Sequence, residues 1–173
     1  MGEYHDGEVF PKAEVSFEHA VIVANAGHCF IGRLKGKPCL AATDGVVRST
    51  SANAMRPDVM VVFGRPVYAR ESRGAITNPK VIVEVLSPST ADYDRGGKFV
   101  LYQNLSSFEE YLLVAQETPR IDMFRKTSAN GWDLKIHVGL ESVVTISPLG
   151  IEIPMAEFYA GVEFPETPLD SPA

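Results

Sequence analysis

Two short stretches of the chain are almost uninterrupted in apolar character, and each carries a single acid. Residues 57–63, PDVMVVF, and 79–86, PKVIVEVL, are dense in β-branched side chains and read as strands covered on both faces, as at the centre of an α/β sheet. The glycine- and proline-containing stretch between them, GRPVYARESRGAITN, reads as a long loop or a hairpin excursion. Upstream, Phe17 to Lys35 has helical character, with Val21, Ala24, Phe30, Ile31 and Leu34 as apolar positions, Ser16 as the cap and Gly36 as the stop. Downstream, Lys98, Leu101, Tyr102 and Leu105 fall at i, i+3, i+4 and i+7, which predicts a helix capped by Asp94 with those four on one face. Strands are expected at Glu110 to Ala115 and Arg120 to Arg125, joined by a turn through Thr118 and Pro119. Trp132 to Val138 alternates and reads as a half-exposed strand, and short strands near Val143 and Ile151 precede a brief helix from Met155. The stretch GVEFPETPLDSPA reads as an unstructured tail, leaving one domain over residues 1–160.

Composition fits a single globular domain, since 173 residues with 45% hydrophobic side chains can bury a sizeable core. The longest nearly apolar run, Val21 to Gly32, is broken by Asn25 and His28 and falls short of the roughly 20 residues of a spanning helix. With an acidic, polar start and Cys29 and Cys39 as the only cysteines, the expectation is a cytoplasmic protein with no membrane partner. A net charge of −6 argues against a surface built for tight, nonspecific binding to nucleic acid, because phosphate affinity comes mostly from clustered Lys and Arg.

Glu84 is the informative oddity. It interrupts Val81, Ile82, Val83, Val85 and Leu86, and an ionised carboxylate there costs several kcal/mol unless it is paired or bound to a metal. Asp58 repeats the anomaly at the start of the preceding apolar strand. If the strands are neighbours, the two carboxylates meet at one sheet edge, as hard-oxygen sites for magnesium or manganese do; the alternative is a capped turn at Asp58 and an arginine pair at Glu84. Lys98, on the core-facing side of its predicted helix, also needs a partner. His19 and His28 are nine residues apart, on opposite faces of one helix, and cannot share a metal.

The segments RPDVMVVF, VIVEVLSPST, YDRGGKFVLYQN and FEEYLLVAQETPRIDMFRK together resemble the bacterial "putative restriction endonuclease" family, a branch of the PD-(D/E)XK superfamily, from about Glu3 to Phe158. The resemblance implies a restriction endonuclease-like α/β fold, a mixed central sheet flanked by helices. It also implies a Mg2+- or Mn2+-dependent phosphodiesterase acting on nucleic acid, DNA first, with cleavage of two strands favouring a homodimer. Asp58 then stands as the D of the PD element and Glu84 as the (D/E), with the Val85 carbonyl and Glu3 as further metal-site groups. The superfamily's lysine belongs two residues after Glu84, where this chain has Leu86; Lys98 matches a lysine that has migrated to the following helix. Two rivals stand beside the nuclease: an inert binding or regulatory module on the same fold, and a phosphodiesterase on small substrates.

Overall fold

The computed structural model describes residues 2–5, 8–11, 15–70, 72–88, 90–128 and 131–164. The chain runs β1 (Gly2–His5), β2 (Glu8–Pro11), α1 (Phe17–Arg33), β3 (Cys39–Thr43), β4 (Val46–Thr50), β5 (Asn53–Met55), β6 (Val59–Phe63), β7 (Tyr68–Ala69), β8 (Ser72–Ile76) and β9 (Pro79–Leu86). It continues through α2 (Ala91–Tyr93), a π-helical turn at Asp94–Lys98 and α3 (Phe99–Tyr102). Then come β10 (Glu110–Ala115), β11 (Arg120–Lys126), β12 (Trp132–Val138), β13 (Val143–Ile146), β14 (Ile151–Pro154) and α4 (Met155–Phe158).

The central sheet has the order β12-β11-β10-β9-β6-β3. It is mixed: β9 and β10 are parallel, and the other pairs are antiparallel. Strand β9 lies between β6 and β10, and its pleat sorts its residues between two cores. Val81, Val83 and Val85 face α1 together with Ile22, Ala26 and Phe30. Ile82 and Leu86 face the second core, where Tyr102, Leu105, Phe108 and Tyr111 gather. Burial on both faces explains why this strand reads as a continuous apolar run.

Helix α1 starts where expected: Ser16 Oγ accepts a hydrogen bond from the His19 N–H at 3.1 Å. It ends at Arg33, with Gly36 at φ 77° turning the chain away. Its core face differs from the expectation. Phe30 and Leu34 are buried as expected, but Ala24 and Ile31 are exposed, and Ile22, Ala26 and Cys29 are buried in their place. The second helical region is also corrected. It begins at Ala91, so Asp94 is not a cap but a buried residue inside a π-helical turn.

A second six-stranded sheet, β2-β1-β5-β4-β8-β7, includes the hairpin inserted between β6 and β9. Strand β12 also departs from its reading: its apolar row Leu134, Ile136 and Val138 is exposed, while His137 is buried. Beyond α4, Val162 and Phe164 pack against the first core; the remainder of the expected tail, residues 165–173, lies outside the described residues. No helix among the described residues is long and apolar enough to cross a membrane.

Candidate active site

Asp58 ends the approach to β6, and Glu84 sits in β9 directly across from it, since Val59 pairs with Val83. Each carboxylate reaches the other residue's strand. Asp58 Oδ2 accepts the Val85 N–H at 2.8 Å, and Glu84 Oε2 accepts the Asp58 N–H at 3.3 Å. Both side chains are buried, Glu84 to 2% exposure. The contact seen at Val85 is made through its N–H.

Lys98 approaches from the π-helical turn. Its Nζ lies 3.3 Å from Glu84 Oε1, 3.1 Å from Glu3 Oε1 and 3.2 Å from Asp94 Oδ1. The ammonium is buried, as its helical face requires, and Leu86 is buried on the same face of β9 as Glu84. Glu3 comes from β1 and is fixed by the Arg56 N–H at 2.9 Å. The structure thus joins Glu3, Glu84 and Lys98 directly, with Asp58 tied to Glu84 through the main chain.

Three participants escaped the sequence reading. Asp94 stands four residues before Lys98, a spacing that signals an ion pair within a helix. Tyr102 donates its hydroxyl to Glu84 Oε1 at 2.8 Å. His19 is buried with Nε2 3.5 Å from Asp58 Oδ2, too long for a good hydrogen bond, and its Nδ1 has no hydrogen-bond partner. Its signal was position: it shares the helical face of Ile22 and Ala26, whereas His28 points to solvent as its opposite placement demands.

The electrostatics follow from the imbalance of acids over cations. Burial pushes Glu84 up to about 8; Lys98 opposes that rise, and the like charges of Asp58 and Asp94 add to it. Asp94 is raised as well, chiefly by burial. For Lys98 burial works against the charge, but Glu84, Asp94 and Glu3 outweigh it and keep the ammonium protonated. Such a cluster of hard oxygens with surplus negative charge fits a divalent cation of the magnesium type. Among the described residues no group of three or more His, Cys, Asp and Glu side chains is placed to hold a metal ion. Any ion held by Asp58 and Glu84 would therefore complete its shell with water or main-chain oxygen.

The mixed α/β fold places this chain with the restriction endonuclease-like proteins. The chain belongs to the Uma2 family, described as "putative restriction endonuclease", whose sequence profile matches residues 2–156. Two uncharacterized proteins of Synechocystis sp. are similar to it. One is 32% identical over 164 residues, covering 94% of this chain and 85% of its own length. The other is 29% identical over 147 residues, covering 84% and 83%. A crystal structure of a "putative nuclease belonging to DUF820" from Anabaena variabilis shares the fold at a TM-score of 0.75 and 12% identity, over 91% of this chain and 88% of that one.

Proposed function

We propose that this protein is a divalent-metal-dependent nuclease in which Asp58 and Glu84 hold Mg2+ or Mn2+ and Lys98 assists hydrolysis of a phosphodiester. The observation that carries this reading is the convergence of Asp58, Glu84 and Lys98 in a buried cluster whose acids outnumber its cations. The bound ion would supply Lewis acidity toward a phosphoryl oxygen and lower the pKa of a water. The chain's own residues do the rest. Val85 N–H and Tyr102 OH fix the Asp58 and Glu84 carboxylates in place. Lys98, steadied by Asp94 and Glu3, presents a permanent positive charge where negative charge builds up on the phosphate. Glu3 acts here through Lys98, and the Val85 carbonyl is assigned to the ion's shell as part of the same proposal. Nucleic acid, DNA first, is the substrate class, and a twofold dimer would bring two such sites to the two strands of a duplex. Free cysteines at 29 and 39 fit a cytoplasmic setting.

The test compares wild type with Asp58→Asn, prepared identically, on plasmid and single-stranded substrates with Mg2+ and with Mn2+. Asparagine keeps an acceptor for the Val85 N–H while removing the charge. Cleavage by wild type alone supports the reading. Equal cleavage by both, or none by either, favours the inert binding module.

A further inference from the structure

Beside the cluster, on the same face of the central sheet, a cleft of about 480 Å3 opens past the C-terminal ends of the parallel strands β9 and β10. Ligands bind at such ends in open α/β sheets because the loops diverge there. Its apolar wall is Leu86, Pro88, Ala91 and Ala115, and Arg95 and Arg120 also line it. Both arginines are anchored by one acid. Arg95 Nη1 lies 2.7 Å from Asp122 Oδ2, and Arg120 Nε lies 2.7 Å from Asp122 Oδ1. Asp122 is only 4% exposed, whereas the two guanidinium side chains are 44% and 43% exposed, so each keeps donors facing outward. The N–H groups of each guanidinium not used on Asp122 are of the kind that recognise phosphate.

Register ties this cleft to the candidate active site. Glu84 pairs with Leu113, and Leu113 pairs with Asp122, so the two acids stand in one row on one face, two strands apart. At the usual strand spacing that is roughly 10 Å. Arg95 also adjoins Asp94, which contacts Lys98, so one turn of chain serves both places.

Building on the nuclease reading, we propose that this cleft holds the nucleotide next to the scissile phosphodiester, with Arg95 and Arg120 gripping its phosphate and the apolar wall covering its sugar and base. Glu117, which also lines the cleft, limits the basic side to a single phosphate and disfavours a long anionic tract. The site accounts for how an acidic chain engages nucleic acid locally without a broad basic surface.

The experiment measures binding without cleavage, by fluorescence anisotropy of a labelled single-stranded oligonucleotide in EDTA across a salt series. Wild type is compared with the triple variant Arg95→Gln, Arg120→Gln, Asp122→Asn, which removes all three charges together and leaves no buried unpaired carboxylate; thermal melting confirms that it folds. The expected result is a roughly tenfold weaker Kd for the variant. Its slope of log affinity against log salt should be shallower by about 0.7, one phosphate's worth on a single strand. Unchanged affinity and slope, or no binding by wild type, would overturn the proposal, as would inorganic phosphate binding wild type as tightly as the oligonucleotide does. Cleavage is scored in parallel. Affinity lost in the variant while wild type cleaves nothing would sink the nuclease reading and leave the nucleotide cleft standing.

Discussion

Glu84 has almost no water to keep it charged, and that sets the pH behaviour of the metal-free protein. Its folded-state pKa of about 8 lies above the ordinary 4.5, so between those values the folded chain keeps a proton that the unfolded chain releases. The folded state then binds more protons, and stability must fall as pH rises through that window, by an amount on the order of a few kcal/mol. Denaturant unfolding of metal-free protein at pH 5, 6.5 and 8 checks this, and Glu84→Gln should flatten the trend while keeping an acceptor for Tyr102. Lys98 gives a second expectation. Removing it leaves Glu3, Glu84 and Asp94 without their shared cation, so Lys98→Met should cost about 3–5 kcal/mol, the usual penalty for breaking a buried pair, measured by denaturant unfolding. Asp58 and Glu84 were legible because an acid inside a β-branched run has no cheap structural excuse. Lys98 was legible because its helical neighbours Tyr102 and Leu105 are core residues. His19 and Asp94 were not: a histidine near a cap and an acid near a helix start both have ordinary local explanations, and only the tertiary fold brings them to the cluster.

At the scale of elements, the π-helical turn is what aims Lys98, and its geometry depends on a close approach. A Cβ added at Gly97 would stand 2.7 Å from the Tyr93 ring, whose centroid is 5.8 Å from Lys98 Nζ. Gly97→Ala is therefore expected to displace Tyr93 and the turn together, costing about 1–3 kcal/mol by overpacking and lowering turnover more than metal affinity. Unfolding curves and calorimetric metal titration of the variant separate those effects. Ser16→Ala should cost about 1 kcal/mol through loss of the cap on α1, and it loosens the turn that carries His19 toward Asp58. The long apolar strands and the capped helix could be read from the sequence because hydrophobic period and cap chemistry agree there. The second sheet could not, since its strands have two to five residues and its pairing rests on contacts distant in the chain, as between Tyr4 and Ala54. The exposed apolar row on β12 defeated the alternation rule, because among the described residues that strand is an edge strand paired to β11 alone, with Leu134, Ile136 and Val138 left exposed.

For the whole molecule, the ion proposed at Asp58 and Glu84 would link folding to metal binding. An ion held at 100 times its Kd adds about 2.7 kcal/mol to stability. Melting with and without EDTA should show that gain in wild type and lose most of it in Glu84→Gln. With a net charge of −6, the proposed cleavage should fall steeply with added salt only to the extent that Arg95, Arg120 and Lys98 carry the phosphate contacts. The central claim is that Asp58 and Glu84 share one divalent ion, and the direct measurement is anomalous diffraction from crystals soaked in Mn2+. The account predicts one strong peak about 2.0–2.2 Å from a carboxylate oxygen of each residue, absent in Glu84→Gln crystals. A peak bound elsewhere, or no peak at an Mn2+ concentration that supports cleavage, would contradict it.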